Sequence, residues 1–210
     1  MAHVRGEYQA APLSPSQLDA DPVSQFERWW RDAVRAGLIY PNAMTLATVD
    51  ARGRAAARIV LLKGFDRRGF VFATNYESQK ARQLAIHPSA ALVLYWQPLD
   101  RQVRITGMVA KASKAESDAI FEARPRGAQI AAWASPQSGI VTDREELDAR
   151  VREFQRKFRG RRVPRPAFWG VYRLKPDAYE FWQGRLNRLH DRFRYTRRSS
   201  SAWRIERLAP

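Results

Sequence analysis

The chain has 210 residues, of which 45% are hydrophobic and 11% aromatic, so a largely disordered protein is excluded and one domain with a sizeable core is expected. It contains no cysteine, which excludes disulfides, thiolate metal sites, iron–sulfur clusters and cysteine nucleophiles. Its 37 basic residues outnumber 21 acidic ones for a net charge of +16, and all but six are arginine, so we expect anionic partners.

The N-terminal part of the sequence predicts an arm followed by a helix. Residues 1–20 carry prolines and small polar residues, which is typical of a flexible arm outside the core. Asp21 as N-cap and Pro22 at the first helical position predict that a helix begins there, and Gly37 predicts its end. Helical spacing predicts its buried face: Val23, Phe26, Trp30, Ala33 and Val34.

The middle of the chain has the two-residue period of strands. Runs at 43–49, 57–65 and 70–75 are joined by glycine turns at 50–53 and 66–69, which predicts an antiparallel meander. A short helix is predicted over 78–86, and two more strands at 89–96 and 102–111 flank a turn at 98–101. Five strands with alternating apolar residues predict a barrel or a strongly curled sheet.

Two helical stretches and more strands are predicted in the rest of the chain. Ser113 with Glu116, and Thr142 with Glu145, have the spacing of capping boxes. A basic loop at 159–167 precedes strand-like runs at 168–174, 178–182, 191–197 and 202–208, which we expect to close the same sheet. With no repeat and no long linker, residues 21–210 are predicted to form a single domain.

Several kinds of site are excluded by their missing signatures. The chain has no phosphate-binding P-loop, no dinucleotide-binding glycine motif and no nucleophile-elbow motif. Its three histidines are not at metal-ligand spacing, so no metal site is expected. No window approaches the roughly 18 uncharged apolar residues that a membrane span needs, so we expect a cytoplasmic protein.

Anion-competent side chains cluster near predicted strand ends. Arg58 and Lys63 bracket one apolar strand, either to protect an edge or to face a ligand. Thr74, Ser78 and Lys80 follow at the start of a helix, which suits a phosphate, although Ser78 is equally explained as a plain N-cap.

A second group of candidates lies near the C-terminus. Gln102 begins a strand and can pair with a heteroaromatic ring, although a surface glutamine is commoner. Trp182, Arg188, His190 and Arg192 lie close together in the sequence, which favours a planar anionic ligand over a solvated hairpin.

These residues give the sequence its resemblance to the pyridoxine/pyridoxamine 5′-phosphate oxidase family. The motifs RIVLLKGF, FWG, EFWQG, NRLHDR and the closing RLAP carry it, and it extends from about Arg5 to the C-terminus. The resemblance implies a mostly β fold with flanking helices, a split β-barrel homodimer with FMN bound at the subunit interface. It also implies that residues 1–20 form a lid and that residues 168–210 serve dimerisation and substrate binding.

The resemblance also implies a set of site residues. FMN contacts are carried over to Arg58, Ile59, Val60, Leu61, Leu62, Lys63, Ala73, Thr74, Gln79, Lys80, Gln102, Gln137, Ser138, Trp182 and Arg192. Substrate contacts are carried over to Arg5, Tyr8, Lys63, Ile120, Arg124, Ala128, Arg188, Leu189 and His190, with Arg188 and His190 also as the catalytic pair.

Some of these positions depart from the family pattern. Ile120 stands in place of a tyrosine and Ala128 in place of a serine that hold the substrate phosphate, so two hydroxyl donors are missing. At about 1–3 kcal/mol for a hydrogen bond to a charged group, the loss predicts roughly ten- to several-hundred-fold weaker substrate binding unless Lys63, Arg124 or a water compensates. Gln79 replaces an arginine near the FMN phosphate and Ala73 an often aromatic residue, which Arg58 and Lys80 are expected to offset.

The reaction that the resemblance implies is oxidation of pyridoxine or pyridoxamine 5′-phosphate to pyridoxal 5′-phosphate. Hydride passes to the flavin and then to O2 as hydrogen peroxide, with ammonia released from the amine. Two alternatives stay open: a sister flavoenzyme that acts on another substrate, such as a phenazine precursor, and a basic nucleic-acid-binding module. The second is disfavoured because most aromatic residues keep the periodicity of buried positions.

Overall fold

In the residues that the structure describes, eight antiparallel strands form one sheet, and the first six of them close into a barrel. The computed structural model describes residues 6–8, 10–199 and 202–210. The strands are β1 (Ala43–Val49), β2 (Ala55–Asp66), β3 (Gly69–Asn75), β4 (Ser89–Trp96), β5 (Arg101–Lys111), β6 (Trp169–Gln183), β7 (Asp191–Arg197) and β8 (Trp203–Leu208). Their order is β3-β2-β1-β4-β5-β6-β7-β8, and a β3–β6 pairing closes the barrel. The predicted mostly β barrel fold is therefore confirmed.

Five α-helices flank the barrel within the described ranges. They are α1 (Pro22–Arg35), α2 (Gln79–Ile86), α3 (Lys114–Glu122), α4 (Arg126–Ala134) and α5 (Arg144–Lys157). In the part of the chain that the structure describes, none of them has the length and apolar character needed to cross a membrane.

The apolar side chains form two cores. The larger one fills the barrel and includes Phe26 of α1 and Phe181 of β6, both fully buried. The smaller one lies between the outer face of the β3–β6 pair and helices α3 to α5, around Phe121 and Val171. Because the two cores share β3 and β6, the ends of these strands are held rigidly from both sides.

Helix α1 begins and ends as predicted, and four of the five residues of its predicted face belong to or pack against the barrel core. Asp21 is the N-cap and accepts a hydrogen bond from Val23 N at 3.0 Å, and the helix stops before Gly37. Trp29 is buried against the barrel, whereas Val34 is 51% exposed. Two adjacent tryptophans left the choice of face to tertiary packing, and Trp29 is the one that packs edge-on against Phe181 at 5.2 Å.

The prediction that residues 1–20 lie outside the core is wrong for Leu13. Its side chain is 7% exposed and belongs to the barrel core. Pro15–Gln17 form a short 3-10 helix, and Asp19 O accepts a hydrogen bond from the Tyr195 hydroxyl at 2.8 Å. The segment from Leu13 onward is therefore packed against the barrel.

The structure differs from the prediction at three other points. Helix α4 was not predicted, and the two runs at 168–174 and 178–182 are one 15-residue strand, β6. The cap of α5 is shifted by one residue from Thr142, because Asp143 accepts the hydrogen bond from Glu146 N at 2.8 Å.

Candidate functional site

Lys80 is the centre of a group of polar side chains at the end of β3, which we call the cationic cluster: Arg58, Thr74, Ser78, Lys80 and Gln137. The Lys80 ammonium donates to Thr74 Oγ1 at 3.1 Å, to Gln137 Oε1 at 3.0 Å and to Ser78 Oγ at 3.4 Å. Thr74 ends a buried strand, Lys80 lies in the first turn of α2, and Gln137 comes from the loop after α4. Three separate elements thus bring one cation and two hydroxyls together.

Arg58 approaches the same region from β2 with its guanidinium held by neutral oxygens. Nη1 donates to Leu46 O at 3.1 Å, to Ala56 O at 3.0 Å and to Thr48 Oγ1 at 2.5 Å, while Nη2 donates to Gln83 Oε1 at 3.0 Å. The guanidinium is therefore fixed in direction without a carboxylate partner.

The electrostatics of the cationic cluster are those of an anion site. Among the residues that the structure describes, neither Arg58 nor Lys80 has an acidic group within ion-pairing distance. Burial, and then the charge of Arg58, lowers the pKa of the Lys80 ammonium, and burial lowers the pKa of Arg58. Two desolvated cations side by side cost free energy, which a bound anion would recover.

A third cation, Arg124, lies beside this cluster and has no carboxylate partner in the part of the chain that the structure describes. The Arg124 guanidinium stands over the Trp169 ring at 4.8 Å, and burial lowers its pKa. Trp169 pairs with Asn75, the residue after Thr74, so Arg124 lies next to the end of β3. Ile120 packs into the smaller core and Ala128 is half-buried in the first turn of α4, so neither offers a polar side chain here.

The other residues predicted to bind cofactor on this side differ in accessibility. On β2, side chains alternate: Val60 and Leu62 point into the barrel core, whereas Ile59, Leu61 and Lys63 are exposed. A ligand over this strand can therefore touch Val60 and Leu62 only through their backbone. Ala73 packs against the smaller core, and Gln79 and Ser138 are exposed beside the cluster.

A second group, which we call the aromatic cluster, contains Tyr8, Trp182, Arg188 and His190. Tyr8 contacts the rings of Trp182 and His190 edge-on, at centroid distances of 5.3 and 5.2 Å. The Trp182 and His190 rings are 4.6 Å apart, and the Arg188 guanidinium lies 5.2 Å from the Tyr8 ring. The N-terminal segment is thus folded onto the end of β6.

The backbone and protonation of this loop are well defined. Asn187 and Arg188 both have positive φ, 55° and 62°, which is strained for residues with a side chain and is frequent at functional sites. His190 Nδ1 accepts a hydrogen bond from Arg185 N at 3.2 Å, so in the neutral ring the proton is on Nε2. Burial first, and then the charges of Arg188 and Arg192, lower the pKa of His190, which favours its neutral form.

Three predicted cofactor residues lie in one row across the sheet. Trp182 of β6 pairs with Gln102 of β5 on one side and with Arg192 of β7 on the other. Arg192 donates to Glu180 Oε1 at 3.0 Å and to Ala209 O at 2.7 Å, which fixes its side chain. Leu189 is 70% exposed beside this row, and Arg5 lies outside the described residues.

The cationic and aromatic clusters lie at opposite ends of β6. Thr74 pairs with Gly170, the second residue of β6, whereas Trp182 is its second-last residue, 12 positions further along (182 minus 170). At about 3.3 Å per residue, this is a path of about 40 Å along the strand. Within the described part of the chain, no hydrogen bond, ion pair or ring contact joins the two clusters.

Sequence reasoning missed two residues that support the cationic cluster. Thr48 and Gln83 are buried, and the Thr48 hydroxyl donates to Gln83 Oε1 at 2.6 Å while both accept from Arg58. A signal was present: Thr48 follows Met44 and Leu46 at the inward positions of β1, where a polar side chain needs a partner.

In the described ranges, no group of three or more acidic or histidine side chains could hold a metal ion.

Two family models and several named relatives match the chain over most of its length. Residues 30–158 match the family model described as pyridoxamine 5′-phosphate oxidase, and residues 169–210 match that of the pyridoxine 5′-phosphate oxidase C-terminal dimerisation region. Proteins named pyridoxine/pyridoxamine 5′-phosphate oxidase from Rubrobacter xylanophilus and Paraburkholderia phymatum are each 54% identical over 210 residues, covering all of this chain and 96% and 99% of theirs.

Solved structures give the same relationship. PhzG from Burkholderia lata 383, crystallised with tetrahydrophenazine-1-carboxylic acid, has a TM-score of 0.89 and 32% identity over 96% of this chain and 99% of that one. An FMN-binding protein from Nostoc punctiforme has a TM-score of 0.68 at 21% identity, over 86% of this chain and 97% of its own, and shares the fold. Since one family model spans more than half of the residues and the named relatives align end to end, the chain belongs to the pyridoxine/pyridoxamine 5′-phosphate oxidase family.

Proposed function

We propose that the protein is an FMN-dependent oxidase that converts pyridoxamine or pyridoxine 5′-phosphate to pyridoxal 5′-phosphate. The observation that carries the proposal is the cationic cluster, in which Arg58 and Lys80 are desolvated and have only neutral acceptors. A dianionic phosphate ester supplies the missing negative charge, and Thr74 and Ser78 supply hydroxyls that can turn toward it. The residues present therefore fit the phosphate of FMN.

We assign the ring-binding part of the site to the aromatic cluster of a second copy of the chain. FMN is a single molecule with its phosphate and its ring joined by a short chain, whereas the two clusters are at opposite ends of β6. A two-fold dimer brings the C-terminal end of one protomer's β6 to the cationic cluster of the other, twice. The match of residues 169–210 to a dimerisation region supports this arrangement.

Bound FMN would supply the acceptor for a hydride from the substrate's 4′ carbon, with O2 as the final oxidant, reduced to hydrogen peroxide. The chain's own residues bind and orient. Lys63 and Arg124, which have no carboxylate within ion-pairing distance among the described residues, hold the substrate phosphate. Arg188 offers positive charge beside the substrate ring, and neutral His190 donates from Nε2.

Tyr8 completes the site by excluding water. Its ring covers the edges of Trp182 and His190, so a substrate beneath it is shielded and held at a fixed angle to the flavin. Arg5, which the resemblance places next to Tyr8, is assigned to the same lid.

The test is release of peroxide from FMN-loaded protein. Pyridoxamine 5′-phosphate is expected to give stoichiometric hydrogen peroxide and pyridoxal 5′-phosphate, and unphosphorylated pyridoxamine is expected to give far less because Lys63 and Arg124 have no phosphate to hold. A flavin-loaded protein that is inactive on both phosphorylated substrates would overturn the assignment.

A second candidate substrate class is favoured by one observation. The PhzG structure, with 32% identity, holds a tricyclic carboxylic acid, and in this chain Ile120 and Ala128 present no hydroxyl near Arg124. A carboxylate needs fewer donors than a phosphate, so Arg124 alone can bind it. Turnover of a dihydrophenazine carboxylic acid, measured beside pyridoxamine 5′-phosphate, decides between the two classes.

A further inference from the structure

Asp191 joins three distant parts of the chain beneath the aromatic cluster. The Asp191 side chain is 13% exposed, and Oδ2 accepts a hydrogen bond from Leu13 N at 3.0 Å, across 178 residues of sequence. Oδ1 accepts from Arg207 Nη1 near the C-terminus at 2.6 Å. Arg185, which precedes the loop that contains Asn187 and Arg188, places its Nε 3.6 Å from Oδ2.

The two arginines around Asp191 also hold the N-terminal segment directly. Arg185 Nη1 donates to Ala10 O at 3.0 Å, and Arg207 Nη2 donates to Leu13 O at 3.4 Å. The carboxylate therefore orients two cations that bind backbone carbonyls, in addition to accepting from a backbone amide itself. Ala10 and Leu13 are only two and five residues after Tyr8, so these contacts limit where the Tyr8 ring can lie.

The Tyr8 ring is closely packed on several sides. A Cβ at Gly184 would lie 2.5 Å from Tyr8 Cδ1 and 2.8 Å from Cγ, so the ring rests on the glycine backbone. Trp182 and His190 contact the same ring from the side. A shift of the segment by about 1 Å is therefore enough to break the ring contacts.

We propose that Asp191 is a positioning residue: it anchors the N-terminal segment so that Tyr8 closes over the substrate site. The proposal rests on the proposed oxidase function for its kinetic consequences, but the anchoring itself does not. Asp191 touches no residue of the cationic cluster in the described structure, so loss of the anchor is expected to spare the binding of the FMN phosphate.

The first test measures whether Asp191 holds the N-terminal segment, and it needs neither flavin nor substrate. In Asp191→Asn the side chain keeps its shape but loses the charge, and the amide of Leu13 is expected to exchange with deuterium at least about tenfold faster. Amides of the barrel core, such as that of Phe181, are expected to keep their rates. The matched control Asp66→Asn removes another partly buried carboxylate that binds two arginines, and is expected to leave Leu13 protected. Unchanged exchange at Leu13 in Asp191→Asn would overturn the proposal.

The second test shows whether the anchor acts through Tyr8. Asp191→Asn is expected to raise KM for pyridoxamine 5′-phosphate about tenfold, with kcat and the dissociation constant of FMN within about twofold of wild type. In a Tyr8→Ala background, the same substitution is expected to add nothing, because its effect is transmitted by the missing ring. Additive effects in the double variant would show that Asp191 acts elsewhere, and the proposal would fall.

A second variant covers a failure of Asp191→Asn to fold, and the exchange of Leu13 does not depend on enzymatic activity. If Asp191→Asn does not fold, Arg207→Gln removes the shortest contact of Asp191 and is expected to give the same Leu13 exchange and the same rise in KM. If no substrate is oxidised by the wild-type protein, the proposed function fails, while the exchange of Leu13 still decides whether Asp191 holds the segment.

Discussion

Replacing Lys80 by methionine separates a ligand-binding cation from a structural one. In the structure the Lys80 ammonium is buried, has three neutral acceptors and lies beside Arg58. Burial lowers the pKa of Lys80, and the charge of Arg58 lowers it further. A charged group in that position destabilises the apoprotein, and methionine fills a similar volume without charge. Lys80→Met is therefore expected to leave the unfolding free energy of the apoprotein within about 1 kcal/mol of wild type, or to raise it.

The same change is expected to weaken FMN binding strongly. A hydrogen bond between an ammonium and a phosphate contributes about 1.5–3 kcal/mol, which corresponds to about a 10- to 150-fold higher dissociation constant. Quenching of flavin fluorescence on titration with apoprotein measures that constant, and urea unfolding of the apoprotein measures stability.

Lys175→Met is the matched control, because it removes the same charge from an exposed position on β6. It is expected to change neither measurement. If Lys80→Met instead destabilises the apoprotein by more than about 2 kcal/mol and binds FMN normally, the lysine is structural and the anion-site reasoning is refuted.

Three further results are expected. Arg188→Ala should lower kcat/KM for pyridoxamine 5′-phosphate at least about 100-fold while purified protein keeps its flavin; an equal loss of both would contradict a substrate role. Gly69→Ala should destabilise the fold by more than about 3 kcal/mol in urea unfolding, because φ is +129° and a Cβ would lie 1.9 Å from Leu174 O; wild-type stability would refute that geometry. The hydrogen bond from Arg173 lowers the pKa of Glu116. The ion pair therefore contributes its full stabilisation at pH values above the ordinary carboxyl pKa. This stabilisation is lost as the pH falls through the lowered pKa of Glu116. Glu116→Gln should thus cost about 1 kcal/mol at pH 7 and almost nothing at pH 2, and an equal cost at both would contradict the assignment.

The barrel was predictable because most of its strands obey a two-residue period and glycine turns separate the first three. The run at 89–96 matches β4 residue for residue, and that at 43–49 matches β1. In both strands most inward positions carry large apolar residues, such as Met44 and Leu46 of β1 and Leu92 and Leu94 of β4, so local pattern and tertiary burial coincide there.

The elements that were not predicted lack local signals or carry misleading ones. Helix α4 follows Pro125, which gives no side-chain cap, so nothing in the sequence marks its start. Pro176 lies in the middle of β6 and is typical of a strand end, yet it pairs with Gly107 beside a shift in register. A proline is tolerated there because the irregular ladder does not require its missing N–H.

The candidate site likewise contains residues that the sequence predicted and residues that it did not. The cations and aromatic residues were visible as motifs, whereas their supports depend on contacts between residues far apart in sequence. Gln137 reaches Lys80 across 57 positions, and Asp191 reaches Leu13 across 178. No pattern within one segment encodes such pairs, so only the folded chain reveals them.

The most direct test of the composite site is complementation between two inactive variants. One variant, Arg58→Gln with Lys80→Met, lacks the cationic cluster, and the other, Arg188→Ala, lacks the proposed catalytic arginine. If each site combines the cationic cluster of one protomer with the aromatic cluster of its partner, each mixed dimer has one intact site. Unfolding and refolding the two variants together at equal amounts is then expected to restore about a quarter of wild-type activity, since about half of the dimers are mixed and each has one of two sites. A mixture as inactive as its parents would contradict the shared site.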